Sequence, residues 1–89
     1  MANRFINITA TGGWDQVACA QRSGRIVIQA RTAVAVSVRY TDNPTETWTI
    51  KASTVWETHG VFWPTDIEVQ AVAGTVIEVE VQALGSPMP

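Results

Sequence analysis

The side chains able to do chemistry in this chain are few, and their spacing does not suit catalysis. His59 is the only histidine. Nucleophilic catalysis needs a nucleophile, a base and an orienting group within hydrogen-bond reach. Glu57 and Thr58 come just before His59, but successive strand residues point to opposite faces. A lone histidine followed by glycine reads as a turn residue. Glu57 and Asp66 are carboxylates of the kind that cleave glycosides in pairs, yet nothing in the pattern positions them. No Gly-x-Ser-x-Gly, His-Glu-x-x-His or phosphate-loop motif occurs. The single cysteine, Cys19, excludes an intrachain disulfide and a cysteine-based zinc site. It reads as a small buried apolar side chain. No catalytic residue, metal ligand or cofactor is therefore assigned, and the chain is read as non-enzymatic.

Its aromatic residues are more informative. Four tryptophans in 89 residues is a high count. Such rings either anchor cores and interfaces or stack on sugar rings. Trp48 falls on the apolar phase of its segment and is expected in the core. Trp14 and Trp56 fit either role and are the candidates for ligand stacking. Trp63 lies in Gly60-Val61-Phe62-Trp63-Pro64, a loop-like run that would expose the rings of Phe62 and Trp63. Proline beside Trp63 would stiffen the run and lower the entropic cost of contact.

These residues must be positioned by strands. No helical periodicity persists for three turns, whereas period-two alternation recurs. Val34, Val36, Val38 and Tyr40 alternate with Ala35, Ser37 and Arg39. Ile67, Val69 and Ala71 alternate with Glu68 and Gln70, and Ile77, Val79, Val81 and Ala83 with Glu78, Glu80 and Gln82. Shorter candidates are Phe5–Ala10, Trp14–Ala20, Arg25–Gln29, Thr47–Lys51 and Thr54–Glu57. The total is about eight strands, separated by Gly12-Gly13, Ser23-Gly24, Asp42-Asn43-Pro44, His59-Gly60 and Ala73-Gly74. The expected fold is all-β: a small antiparallel β-sandwich or jelly roll over residues 1–84, with a Pro-rich tail at 85–89.

Alternation also suggests registers, because directly opposed side chains share a face. Ile67 opposite Val79 and Val69 opposite Ile77 would make the last two strands a hairpin with Val72-Ala73-Gly74 as its loop. Tyr40 opposite Trp48 and Val38 opposite Ile50 would place a loop around Asn43-Pro44-Thr45. The first pairing sets Glu68 against Glu78 and Asp66 against Glu80. Like charges so placed repel, which calls for a flanking arginine, a basic partner or an ion. Calcium is the weakest of these, since no Asp/Asn-rich loop is present.

Composition bounds the partners. Charged residues make up 16% of the chain and apolar residues 46%. Soluble domains average about 25% charged residues. A weakly charged surface on so small a domain favours association, so a homo-oligomer or docked subunit is expected. Net charge is −2, with no basic footprint for nucleic acid. No apolar run spans a membrane as a helix. The first residues, Met1 to Asn7, lack the apolar core of a signal peptide, so synthesis in a cytoplasm without export is expected.

Three stretches carry a resemblance. They are Ala33-Val-Ala-Val-Ser-Val-Arg-Tyr40, Thr47-Trp-Thr-Ile-Lys-Ala-Ser-Thr-Val-Trp-Glu57, and Asp66-Ile-Glu-Val-Gln-Ala-Val-Ala-Gly-Thr-Val-Ile-Glu-Val-Glu-Val81. In strand rhythm they resemble small bacteriophage virion proteins: short, cysteine-poor β-sandwich or jelly-roll chains that act as cement, decoration or minor structural subunits. The resemblance implies self-association, often as trimers, docking on a capsid or tail lattice, and location in the virion. It carries over no functional residue. The expected partner contacts are Phe62, Trp63, Glu68, Glu78 and Glu80. The rival expectation is a small carbohydrate-binding module using Trp14, Trp56 or Trp63.

Overall fold

In the computed structural model, residues 3–30 and 34–83 are described, the side chains of residues 61 and 62 excepted. Among them are eight strands: β1 (Arg4–Thr9), β2 (Asp15–Gln16), β3 (Ser23–Gln29), β4 (Val36–Tyr40), β5 (Trp48–Ile50), β6 (Val55–Phe62), β7 (Ile67–Gln70) and β8 (Val76–Ala83). A single 3-10 turn, Pro64–Asp66, precedes β7. No helix among the described residues is long and apolar enough to cross a membrane.

The strands form two antiparallel four-stranded sheets, ordered β1-β8-β3-β6 and β2-β7-β4-β5. Strands pair β1 with β8, β2 with β7, β3 with β6 and β4 with β5. The chain thus behaves as one long hairpin with its turn between β4 and β5. Rolling that hairpin up brings β8 beside β3 and β7 beside β4. This is the jelly-roll form of the β-sandwich. Only the β4–β5 connection stays within a sheet; every other connection crosses the core.

Crossing explains why the expected last hairpin does not form. β7 and β8 lie in different sheets, so Ile67 and Val69 face Ile77, Val79 and Val81 across the core instead of sitting beside them. Glu68 and Glu78 are therefore not neighbours, and neither are Asp66 and Glu80. The turn chemistry survives the change of partner. Gly74 has φ +91° and follows Ala73 in a turn closed by the Thr75 N–H on the Val72 carbonyl at 3.0 Å. Positive φ at that position is what a type II turn requires. Ala10 clamps the turn: its N–H donates to Thr75 O and its carbonyl accepts from Gly74 N–H, both at 2.8 Å.

The β4–β5 hairpin keeps the expected phase but shifts by two residues: Val36 opposes Ile50 and Val38 opposes Trp48. Turns closed by Asn43 N–H on Tyr40 O and Glu46 N–H on Asn43 O lengthen the loop to residues 41–47. Tyr40 instead pairs with Ile67 of β7. A further difference lies at His59-Gly60, which is strand and not turn. Ser23 pairs with Phe62 but Arg25 with His59, so β6 carries an extra residue there. Gly60 supplies the φ of +129° that this bulge adopts.

The large hydrophobic side chains of the core are valine and isoleucine, both β-branched. Ile26, Ile28, Ile77, Val79 and Val81 of the first sheet meet Val36, Val38, Ile50, Ile67 and Val69 of the second, with Val17 beside them. Cys19 is buried, as its sequence context implied. Ile6, Ile8 and Trp56 close the margins. None of the described aromatic side chains is buried; Trp48, expected in the core, is 64% exposed. β5 is an edge strand of three residues, so a ring at its start overhangs the end of the core.

A methyl group at Gly74 would meet nothing within 4 Å. The cost of Gly74→Ala is then conformational alone, about 1–2 kcal/mol. Urea denaturation should show the midpoint falling with an unchanged slope.

Candidate functional site

Among the described residues, the most exposed large apolar side chain lies on the outer face of the first sheet. On β1 the polar phase reads Asn3, Phe5, Asn7, Thr9, so Phe5 is an aromatic among polar residues. Val27 on β3, Val55 on β6 and Val76 on β8 break their strands' polar phases in the same way. The registers put these residues into rows across the sheet. Phe5 opposes Glu80, Glu80 opposes Val27, and Val27 opposes Glu57. In the next row Asn7 opposes Glu78, Glu78 opposes Gln29, and Gln29 opposes Val55. Phe5 is 85% exposed and Val55 57%. A depression of about 350 Å³ lies beside Phe5, lined also by Asn7, Val27, Gln29, Glu78, Val79 and Glu80.

Arg25 and His59 form a third row with Gln82. Arg25 Nε donates to Glu57 at 3.0 Å, and its Nη2 donates to the same oxygen. His59 Nε2 lies 3.4 Å from the other carboxylate oxygen. These contacts, that with Arg25 foremost, hold the Glu57 carboxyl below its ordinary pKa. Arg25 thus answers Glu57, while Glu78 and Glu80 both stand on β8, on the other side of β3.

A different cluster occupies the outer face of the second sheet. Arg39 of β4 opposes Glu68 of β7, which opposes Gln16 of β2. Arg39 Nε donates to Glu68 at 2.9 Å. The guanidinium lies 4.1 Å from the centre of the Trp14 ring, a cation–π stack. The flanking arginine called for by the acidic residues is therefore real for Glu68. It lies on a strand neighbouring β7 in the second sheet.

The expected contact residues are thus divided. Glu78 and Glu80 stand together beside Phe5. Glu68 lies on the opposite side of the molecule, because β7 and β8 belong to different sheets. Trp63 is 46% exposed and caps the 3-10 turn ahead of the buried Pro64. Phe62 ends β6, and its side chain lies outside the described residues. Trp14 is half-buried beneath Arg39, and Trp56 is half-buried at the margin of the core. The two are not neighbours: Trp14 lies on an outer face and Trp56 points inward from β6. Phe5 was missed, although its aromatic ring in a polar phase was a readable signal.

Among the described residues no three His, Cys, Asp or Glu side chains converge as a metal site requires. Comparison with protein-family models, with curated proteins and with solved structures gave no match.

Two measurements probe this surface. The Arg39 and Glu68 side chains are 20% and 21% exposed. A double-mutant cycle with Arg39→Ala and Glu68→Ala should give a coupling of about 0.5–1 kcal/mol that shrinks in salt. Ionised Glu57 adds stability above the ordinary carboxylate pKa, and this is lost as pH falls through its lowered value. In Arg25→Gln, acid unfolding should lose that part of its pH slope.

Proposed function

We propose that this chain is a non-enzymatic structural subunit of a bacteriophage particle, which self-associates and docks on other protein through the outer face of its first sheet. The observation that carries the reading is Phe5, 85% exposed on a broad sheet face and lining the same depression as Val27. Apolar residues set in the polar phases of four adjacent strands suit a face that another protein covers. The low charge content points the same way. The jelly-roll form is shared by viral capsid domains, which is analogy at the level of fold.

Charge narrows the mode of contact. Among the described residues the face carries Glu57, Glu78 and Glu80 against Arg25. Glu57 is answered by Arg25, whereas Glu80 stands beside Phe5, so a basic surface suits the contact. A heterologous contact, as in a trimer, sets the face against a different surface of the next copy and lets the two differ in charge. The complement is a surface with an apolar hollow for Phe5 and arginine or lysine at its rim. The exposed edge at β1 gives further room for contact between copies.

Light scattering over a range of concentrations tests self-association, with a mass at a multiple of the single chain expected. Phe5→Asp should return the monomer without loss of the β-type circular dichroism spectrum. A wild-type chain that stays monomeric at high concentration would overturn self-association.

A further inference from the structure

We infer that the flank of the sandwich between β5 and β6 is a binding cleft for a neutral saccharide. The roll of the chain places β5 at the edge of one sheet and β6 at the same edge of the other. Trp48 comes from β5 and Trp56 from β6. Between them lies a cleft of about 390 Å³, which Tyr40, Asn43, Glu46 and Thr47 also line. Its size is within the usual range for small-molecule sites, enough for one or two sugar rings. Trp48 is 64% exposed and Tyr40 42%, so ring surface is available to a ligand. A hydrogen bond of 3.1 Å between Tyr40 Oη and Thr58 Oγ1 ties the two sheets together at this flank.

The lining selects the ligand class. Aromatic faces carry partial negative charge and attract the C–H faces of a pyranose ring. At the rim, the Asn43 side-chain amide donates to the Glu46 carboxylate. Amide and carboxylate together offer donors and acceptors, and a carboxylate accepts only. Sugar hydroxyls both donate and accept, so they satisfy this pair. A proline-rich peptide, the other common guest of aromatic grooves, offers carbonyls and lacks N–H donors at proline, so it brings fewer donors than a sugar to the Glu46 lone pairs that Asn43 leaves open. Arg39 also lines the cleft, but it is paired with Glu68 and stacked on Trp14, so a phosphorylated ligand or nucleic acid finds no uncommitted cation among the described lining residues and meets Glu46. Neutral saccharide is the class that both the rings and the rim accept.

The test is to screen the full chain on an array of neutral gluco-, galacto-, manno- and N-acetylglucosamine oligosaccharides, then titrate the best binder by tryptophan fluorescence. Saturable binding is expected. Trp48→Ala, at an exposed position, should weaken it about tenfold or more while leaving the circular dichroism spectrum unchanged. Glu46→Gln should weaken it less. Phe5→Ala, on the outer face of the first sheet, should leave it intact. Absence of saturable binding to every glycan on the array would overturn the proposal. So would glycan affinity unchanged in Trp48→Ala, or a proline-rich decapeptide that competes for the cleft and binds more tightly than the best glycan.

Discussion

Two facing layers of valine and isoleucine set the terms for everything else in this molecule. Sandwich sheets stand about 10 Å apart, and β-branched side chains from both inner faces fill that gap. Ile26, Ile28, Ile77, Val79 and Val81 occupy one layer, and Val36, Val38, Ile50, Ile67 and Val69 the other. Little volume remains there for a ring. Aromatic side chains carry the largest apolar area per residue. Here the described ones sit on the outer faces, at the ends and along the flanks. The recognition potential of the chain follows from that exclusion.

The period-two pattern made the strands and their inner faces legible. Ile67 and Val69, or Ile77, Val79 and Val81, are buried as their alternation implied. Sheet partition was not legible, for a physical reason. An apolar phase is satisfied equally by a neighbour in the same sheet or by a layer across the core. The alternation of β7 and β8 cannot distinguish these, and the tight turn at Gly74 serves both. Trp48 shows a second limit. Its phase was right, but phase says nothing about whether a strand lies at an edge, and β5 does. Gly60 shows a third. Positive φ serves a bulge inside a strand as well as a turn between strands. Phe5, in contrast, could have been found: an aromatic in a polar phase is visible before any fold is known.

The partition of sheets also rearranges the charges. Read as one hairpin, the acidic residues of β7 and β8 would form a single repulsive patch. In the folded chain Glu68 turns to the second sheet, where Arg39 neutralises it and Trp14 covers the guanidinium. Glu78 and Glu80 stay on the first sheet, with Glu57 held by Arg25. One outer face therefore carries an ion pair stacked on a tryptophan, and the other sets Glu80 beside an exposed phenylalanine. A face closed upon its own ion pair has little to offer a charged partner. The first sheet's face is the better candidate for contact because Phe5 stands exposed on it beside Glu80.

The same roll of the hairpin that separates those charges creates the cleft. Pairing β3 with β6 and β4 with β5 brings the last strand of each sheet to one flank, so tryptophans at positions 48 and 56 line opposite sides of a gap. Neither residue type nor local periodicity encodes that meeting; it follows from topology alone. It also separates the two surfaces physically. The broad face around Phe5 belongs to the outside of one sheet, whereas the cleft opens between the margins of both. Covering the first would leave the second in solvent. A partner that covered the sheet face would therefore leave the aromatic cleft open, and a change in either surface need not alter the other.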